Sequence, residues 1–558
     1  MQSNMPAIEE NKLIIDARKL PANHTIQADI CIIGAGVAGI TLAKELMGSG
    51  LDICLLESGG IEPDSKTQAL CRGKTIGHPY YPLDTARVRH FGGSSIKWLL
   101  ELGDNKLGAR LQTMDAIDFE KREWVPNSGW PFDRQHLDPY YARAQKLCKV
   151  PIGNYNLSDW EDPKSTPSLP FVGNRVGTSI YYCLSNEVFN EDYRKELEAA
   201  SDVRVYLYAN ALEIEADESG QNATNLRTAC INGKEFAVNA RRFVVAVGGI
   251  ETPRLLLLSN KVQKNGIGNQ HDLVGRYFME HPHLLSGTIF PTDKKLLKQN
   301  GLYKIHQVQG TPIIGQLKLS EKTIRQEQML NDAIVLVTAP KPYVQGSQHA
   351  VSHGVQSVGL AASALLRRDL DEFKRHLSTL FPVVNKFSIK AYRKAMDAVY
   401  IIFGTTDESV FHVYHMAEQI PNPESRVTLI SEKDHFGQKL VQLDWKISSA
   451  DIRSIRRTQE IIDEELRHAG MGRLQIDLED DTPPLEITGG WHHMGTTRMH
   501  INPKQGVVDE NSLIHGMSNL YIAGPSVFPT CGCANPTLTL VALTIRLADH
   551  LKHTMAND

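Results

Sequence analysis

Asp29-Ile30-Cys31-Ile32-Ile33-Gly34-Ala35-Gly36-Val37-Ala38-Gly39 is the stretch on which the fold turns. Asp29 to Ile33 predicts a short buried strand of the kind found in parallel sheets. The glycines follow at once. Ile40, Ala43, Leu46 and Met47 then recur at helical spacing until Gly48 and Gly50. A second apolar run, Ile53 to Leu56, ends in Glu57. Strand, glycine turn, helix, strand and terminal acid together predict a βαβ dinucleotide-binding unit. Gly34 permits the tight turn, Gly36 lets the backbone approach a pyrophosphate, and Gly39 lets the helix pack on the sheet. The helix N-terminus offers free N–H groups to the phosphates. Glu57 is positioned to accept hydrogen bonds from ribose hydroxyls. This unit alone does not separate FAD from NAD.

A chain of 558 residues exceeds what one hydrophobic core serves, so two subdomains are expected. The net charge of −4 gives no reason to expect nucleic acid as a partner. No apolar run is long enough for a membrane span. Met1 to Leu13 lacks a basic segment followed by an apolar one, so a cytoplasmic location is expected. The 8 cysteines form no CxxC pair and fit buried free thiols in a reducing compartment. Cys531 and Cys533 are the closest pair. They have no further ligands at metal-binding spacing, so no metal site is expected.

Later segments carry chemistry. Gly92-Gly93-Ser94-Ser95 supplies permissive backbone and small hydroxyls, which suits close approach to a flat ring and a phosphate. Val203 to Tyr208 predicts a strand. Phe243 to Val247 predicts another, with Thr252 as N-cap and Pro253 as first residue of the helix after it. His492 and His493 adjoin one another, and an extended backbone would send their rings to opposite sides. Asn535-Pro536 reads as a helix start in its own right, followed by Leu538, Val541, Ala542, Ile545 and Leu551 at helical spacing. That helix aims its positive end at whatever lies before it, which would favour negative charge there.

In order and spacing these segments resemble the glucose–methanol–choline (GMC) oxidoreductases over roughly residues 25 to 552. Arg89 to Trp98 resembles the family's first signature and Gly248 to Leu255 its second. Gly275 to Pro282 is similar to the segment that follows. Glu418 to Pro423 with Ser425 to Val427 resembles the entry to the substrate-domain sheet. Trp491 to Thr496 and Asn535 to Thr539 resemble the paired C-terminal motifs. The resemblance implies FAD, with Gly92, Gly93, Ser94 and Ser95 along the flavin, Val205 touching adenine through its backbone, and Gly524 and Pro536 against the cofactor. Some family members bond flavin covalently through a histidine ending the first signature. Lys97 stands before Trp98 here, so the FAD is expected to be non-covalent. Pro525 removes one backbone donor beside Gly524.

Alcohol oxidation needs a hydride to leave carbon and a proton to leave oxygen, and a neutral imidazole is a natural proton acceptor. The resemblance gives that role to His492, with Asn535 holding the same hydroxyl and His493 as its neighbour. Gly129 to Phe132, Pro139 to Tyr141 and the C-terminal motifs are nearest the sugar- and polyol-oxidising branch. The expected partners are a small alcohol and an electron acceptor, oxygen or another carrier. A non-redox, lyase-type enzyme on the same FAD fold is the alternative.

The predicted fold is α/β. A discontinuous Rossmann-like FAD-binding domain takes residues 25–105, 200–290 and 485–558. A substrate-binding α+β domain with an antiparallel sheet takes residues 106–199 and 291–484. Leu365 to Met396 is basic and amphipathic, and reads as a solvated helix face rather than a membrane surface.

Overall fold

A computed structural model of the chain describes residues 13–103, 106–153, 155–293, 295–298, 300–337 and 410–557. The basic stretch Leu365 to Met396 lies outside them. The fold is mixed α/β and rests on two large sheets.

The first sheet grows from His24–Ile33, whose last four residues are all buried. Ile53–Leu56 lies parallel on one side of it and Glu235–Val245 parallel on the other. Val203–Leu207 continues beyond Ile53–Leu56, and Ile14–Asp16 closes that edge, both parallel. The helix Val37–Leu46 makes the crossover between His24–Ile33 and Ile53–Leu56. It packs against the C-terminal helix Pro536–Ala556. Glu235–Val245 changes neighbours along its length. Its first half pairs antiparallel with Ala223–Ala229, and its second half pairs parallel with Leu520–Ile522.

The second sheet has 9 strands, and every recorded pairing in it is antiparallel. Its centre is Val176–Ser185, Thr311–Leu319, Asp332–Val337, Phe411–Ala417 and His283–Pro291. A third, 3-stranded sheet joins Arg426–Lys433 and Lys439–Trp445 to the early strand Gly73–Gly77. Among the described residues, no helix is long and apolar enough to cross a membrane.

Two local expectations change. The first strand starts at His24, five residues before Asp29, because its N-terminal half finds a partner in Glu235–Val245. The helix expected to open at Pro253 runs instead from Gly248 to Leu258, with Pro253 inside it. A proline at that place cannot donate to the carbonyl four residues back, that of Gly249. The Thr496 hydroxyl donates to that carbonyl instead, at 2.6 Å. A side chain from the distant histidine segment therefore completes the helix.

Candidate active site

A cavity of about 280 Å³ runs along the C-terminal ends of the parallel strands. Gly34, Gly36 and Glu57 line one end of it, and Gly93, Ser94 and Ser95 line its flank. Gly524, Pro536, Asn535, His492 and His493 line the other end. Gly39, Gly92 and Val205 are not among the lining residues.

Those three act behind the wall. A Cβ on Gly39 would overlap the carbonyl oxygen of Gly34, so this glycine lets the helix close on the turn. The N–H of Gly92 donates to the Ala35 carbonyl at 2.8 Å and ties the two glycine loops together. Val205 is fully buried in an inner strand, and its N–H donates to the Leu13 carbonyl at 2.8 Å. The short strand Ile14–Asp16 covers that side.

Glu57 is buried and already engaged. One oxygen accepts from Ala35 N–H at 3.0 Å, and the other accepts from Gly59 N–H at 2.7 Å and from the Ser58 hydroxyl at 3.1 Å. Burial pushes its carboxyl up from the usual range, and the backbone donors oppose this. Glu57 thus braces the glycine turn as well as facing the cavity.

The cavity's remaining polar groups are chiefly donors. Arg87 and Arg89 line it and share Glu251, at 2.7 and 2.9 Å. Nε and Nη1 of Arg87, Nε of Arg89 and Nε1 of Trp491 are buried without a partner among the described residues. Gly36 has ordinary extended backbone, and a Cβ built on it meets only Gly93 Cα, at 3.9 Å. Its missing side chain leaves open space, not relief of strain. A glycine cradle beside unsatisfied donors fits a long ligand rich in acceptors and negative charge, as the pyrophosphate and ring carbonyls of FAD are.

Four segments assemble the histidine end. A Cβ on Gly249 would overlap the carbonyl oxygen of His493, so the Gly248–Leu258 helix and the histidine segment meet backbone to backbone. Glu280, fully buried, accepts from the backbone N–H groups of His492 at 2.9 Å, Gly490 at 3.0 Å and His281 at 3.3 Å. Tyr80 donates its hydroxyl to the other Glu280 oxygen and lies 2.8 Å from His493 Nε2. Burial pushes the Glu280 carboxyl up to about 7 against these hydrogen bonds.

The rings of His492 and His493 find different partners. His492 Nδ1 is 2.8 Å from His281 Nδ1, and the Asn535 amide nitrogen donates to His492 Nε2 at 3.3 Å. His281 Nε2 lies 3.3 Å from the Cys531 carbonyl, which only accepts. That nitrogen must therefore carry the proton of a neutral ring, leaving Nδ1 of His281 as acceptor. His492 must then donate from Nδ1, and its Nε2 is left as a lone pair beside Asn535. Burial, then neighbouring histidines, hold His492 well below the usual imidazole range. Burial lowers His281 to about 4. Both rings are thus neutral at pH 7, as the tautomer chain requires.

Asn535 stands directly before the helix Pro536–Ala556, but its side chain makes no capping hydrogen bond. The helix starts where Asn535-Pro536 places it, and the side chain, instead of capping it, turns its amide nitrogen to His492. The loop before it is held from behind. Thr530 donates to the Asp118 carbonyl at 2.6 Å, and Trp130 Nε1 donates to the Thr530 hydroxyl at 2.8 Å. Tyr80, Glu280 and His281 were not singled out as site residues in the sequence. The segment Gly275 to Pro282 contains Glu280 and His281 but not Tyr80, and only the fold brings all three against the histidine segment.

The GMC oxidoreductase family model matches residues 421–544. The chain is 30% identical to paromamine 6'-oxidase of Streptomyces fradiae over 93% of this chain and 90% of that one. It is 23% identical to the fructose dehydrogenase large subunit of Gluconobacter japonicus, over 95% and 98% of the two chains. An Aspergillus oryzae formate oxidase variant has the same fold, with TM-score 0.53 and 15% identity, covering 96% of this chain and 100% of that one. Sheet architecture, glycine-lined cavity and these matches agree: the chain belongs to the GMC family of FAD-dependent alcohol oxidoreductases.

Proposed function

We propose that this enzyme oxidises a CH–OH group of a sugar, glycoside or polyol, with His492 as the base. The alcohol carbon gives up a hydride, its oxygen gives up a proton, and a carbonyl forms. Bound FAD supplies the hydride acceptor, at its N5 atom. The observation that carries the reading is the contact chain from the Cys531 carbonyl through His281 to His492 and Asn535, which leaves a neutral His492 with its Nε2 lone pair 3.3 Å from the Asn535 amide beside the cavity. A hydroxyl between those two groups donates its proton to Nε2 and accepts from the amide. His281 keeps its bond to Nδ1 whether or not Nε2 is protonated, so proton uptake does not disturb the ring's position.

Gly34, Gly36 and the Gly92–Ser95 loop hold the pyrophosphate side of the cofactor, and Arg87 and Arg89 contribute the buried donors. Non-covalent FAD is part of the proposal. It is supported by Lys97, whose ammonium donates to the Thr85 carbonyl at 2.8 Å, and by His90, which is not a lining residue. The two-domain division is also part of it. The strand pairings favour assigning Leu100–Gly103 and His283–Pro291 to the substrate half. The names of the two relatives, an oxidase and a dehydrogenase, support sugar-like alcohols and leave the electron acceptor open between oxygen and another carrier.

Anaerobic addition of sugars and polyols to the purified yellow protein tests the reading. Bleaching of the flavin by at least one alcohol is expected, and a spectrum unmoved by the whole set would favour the lyase-type alternative. Readmitting oxygen then separates oxidase from dehydrogenase. Acid precipitation should leave the chromophore in the supernatant; chromophore retained in the pellet would refute the non-covalent assignment.

A further inference from the structure

One face of the antiparallel sheet looks toward the loop that carries Asn535. Cross-strand partners share a face, as do residues two apart along a strand. Arg110 pairs across the sheet with Cys183, and Tyr181 lies two residues before Cys183. Met416 pairs with His283. Tyr181, Cys183 and Met416 pack in one cluster with Cys533, two residues before Asn535. Arg110 belongs to this face: its Nη2 lies 2.8 Å from Met416 Sδ.

Among the described residues no carboxylate forms an ion pair with Arg110, and the groups acting on it are Tyr414, Tyr181 and Cys183. A thioether is a weak acceptor and does not answer a guanidinium. Arg110 keeps some accessible surface while its strand neighbours Ala109 and Leu111 are buried. After burial itself, Arg110 is the next cause of the low basicity of His283, and it also acts on His492. Two further buried polar atoms on this face have no partner among the described residues, Tyr181 Oη and His283 Nε2. A partly buried guanidinium with no counter-ion among the described residues, beside two buried polar atoms without partners, is suited to an anion.

We propose that Arg110, with Tyr181 and His283, binds an oxyanion of the substrate, so that the preferred alcohols are acidic sugars carrying a carboxylate or a phosphate. The proposal rests on the alcohol-oxidation reading and names the substrate class for the same site. A guanidinium matches either oxyanion with two parallel N–H donors.

Three hexoses that differ only at C6 test it: D-glucuronate, D-glucose 6-phosphate and D-glucose. Anaerobic flavin reduction should give kcat/KM at least tenfold higher for one charged sugar than for glucose, and which one identifies the oxyanion. In Arg110→Gln that ratio should fall by roughly 10- to 100-fold, the range of a charge-assisted hydrogen bond, while Arg110→Lys keeps part of it. A wild-type preference for glucose, or a ratio that Arg110→Gln leaves unchanged, overturns the proposal. Flavin content and Tm of each variant exclude loss through misfolding. Acetate and inorganic phosphate serve as unreactive probes, titrated against the flavin absorbance of the holoenzyme. Their Kd should rise at least tenfold in Arg110→Gln, and failure of both anions to bind the wild type also overturns it. If anions bind through Arg110 but no alcohol bleaches the flavin, the oxyanion site stands and the alcohol-oxidation reading fails.

Discussion

On the side of the parallel sheet, the cavity is walled by main chain: Gly34, Gly36 and Gly93 approach from adjoining turns, and Glu57 braces them through backbone N–H groups. On the side of the antiparallel sheet the groups facing the Asn535 loop are side chains: Arg110, Tyr181, His283 and Met416. The first arrangement suits a ligand that does not change, since bare backbone recognises phosphate whatever else the enzyme does. The second is where relatives can differ, since one substitution on a strand replaces a side chain and leaves the ladder intact. His492, His281 and Asn535 lie where the two regimes meet.

Substitutions on the two sides should fail in different ways. Gly36→Val is expected to abolish FAD binding while the protein stays folded, because a side chain there enters open space and not a packed contact. Flavin content and Tm measured together would break the comparison if the variant kept its cofactor. His492→Ala should retain FAD and lose about 10²- to 10⁴-fold in the rate of anaerobic flavin reduction, the usual contribution of a general base. Unchanged stopped-flow reduction in this variant would remove His492 from the mechanism.

Intermediate effects sharpen the picture. His281→Phe removes the acceptor for His492 Nδ1 and frees the ring to adopt the other tautomer. A fall of roughly 10- to 100-fold in reduction rate is expected, within the range of a positioning hydrogen bond. His281→Asn, whose amide oxygen can accept, should recover part of it; a rate no better than that of His281→Phe would argue against tautomer control. His493→Ala, whose ring bonds Tyr80, should change the rate least of the three histidine variants. If it proved the most damaging, the assignment of the base would be reversed.

The smallest expected effect is on stability. Glu280 ionises near pH 4.5 in an ordinary setting and at about 7 in the fold. Between those values the folded protein holds a proton that the unfolded chain has released, so stability from this group is full below pH 4.5 and is lost as pH rises through 7. Glu280→Gln should therefore gain on the wild type between pH 5 and pH 8. A difference in Tm that does not move in that direction would rule out the raised ionisation.

The difference between the two walls also governs what the sequence reveals. The nucleotide side is contiguous: strand, turn and helix occupy adjoining residues, and each glycine has a local reason to be there. His492 and Asn535 were legible for the same reason, inside short motifs. The pairing of His492 with His281, 211 positions away, had no local trace. Neither did Tyr80 beside His493, nor Arg110 opposite Cys183, since only the tertiary fold brings the first pair together and only strand register the second. Local chemistry misled where long-range contact prevailed. Pro253 looks like a helix start until Thr496 supplies the bond it cannot make, and Asn535 holds the cap position while its amide nitrogen meets His492.

The bond from Thr496 to the Gly249 carbonyl has a consequence for how the molecule opens. Helix Gly248–Leu258 lacks one rung of its own ladder, and the segment that carries His492 and His493 furnishes the replacement. Detaching that segment exposes a helical carbonyl, and fraying the helix strips the segment of its anchor. The two should therefore exchange their amide protons as one cooperative unit, although they lie more than two hundred residues apart in the chain. Thr496→Val should uncouple them, so that the helix exchanges faster while strands remote from it, such as Thr311–Leu319, keep their protection.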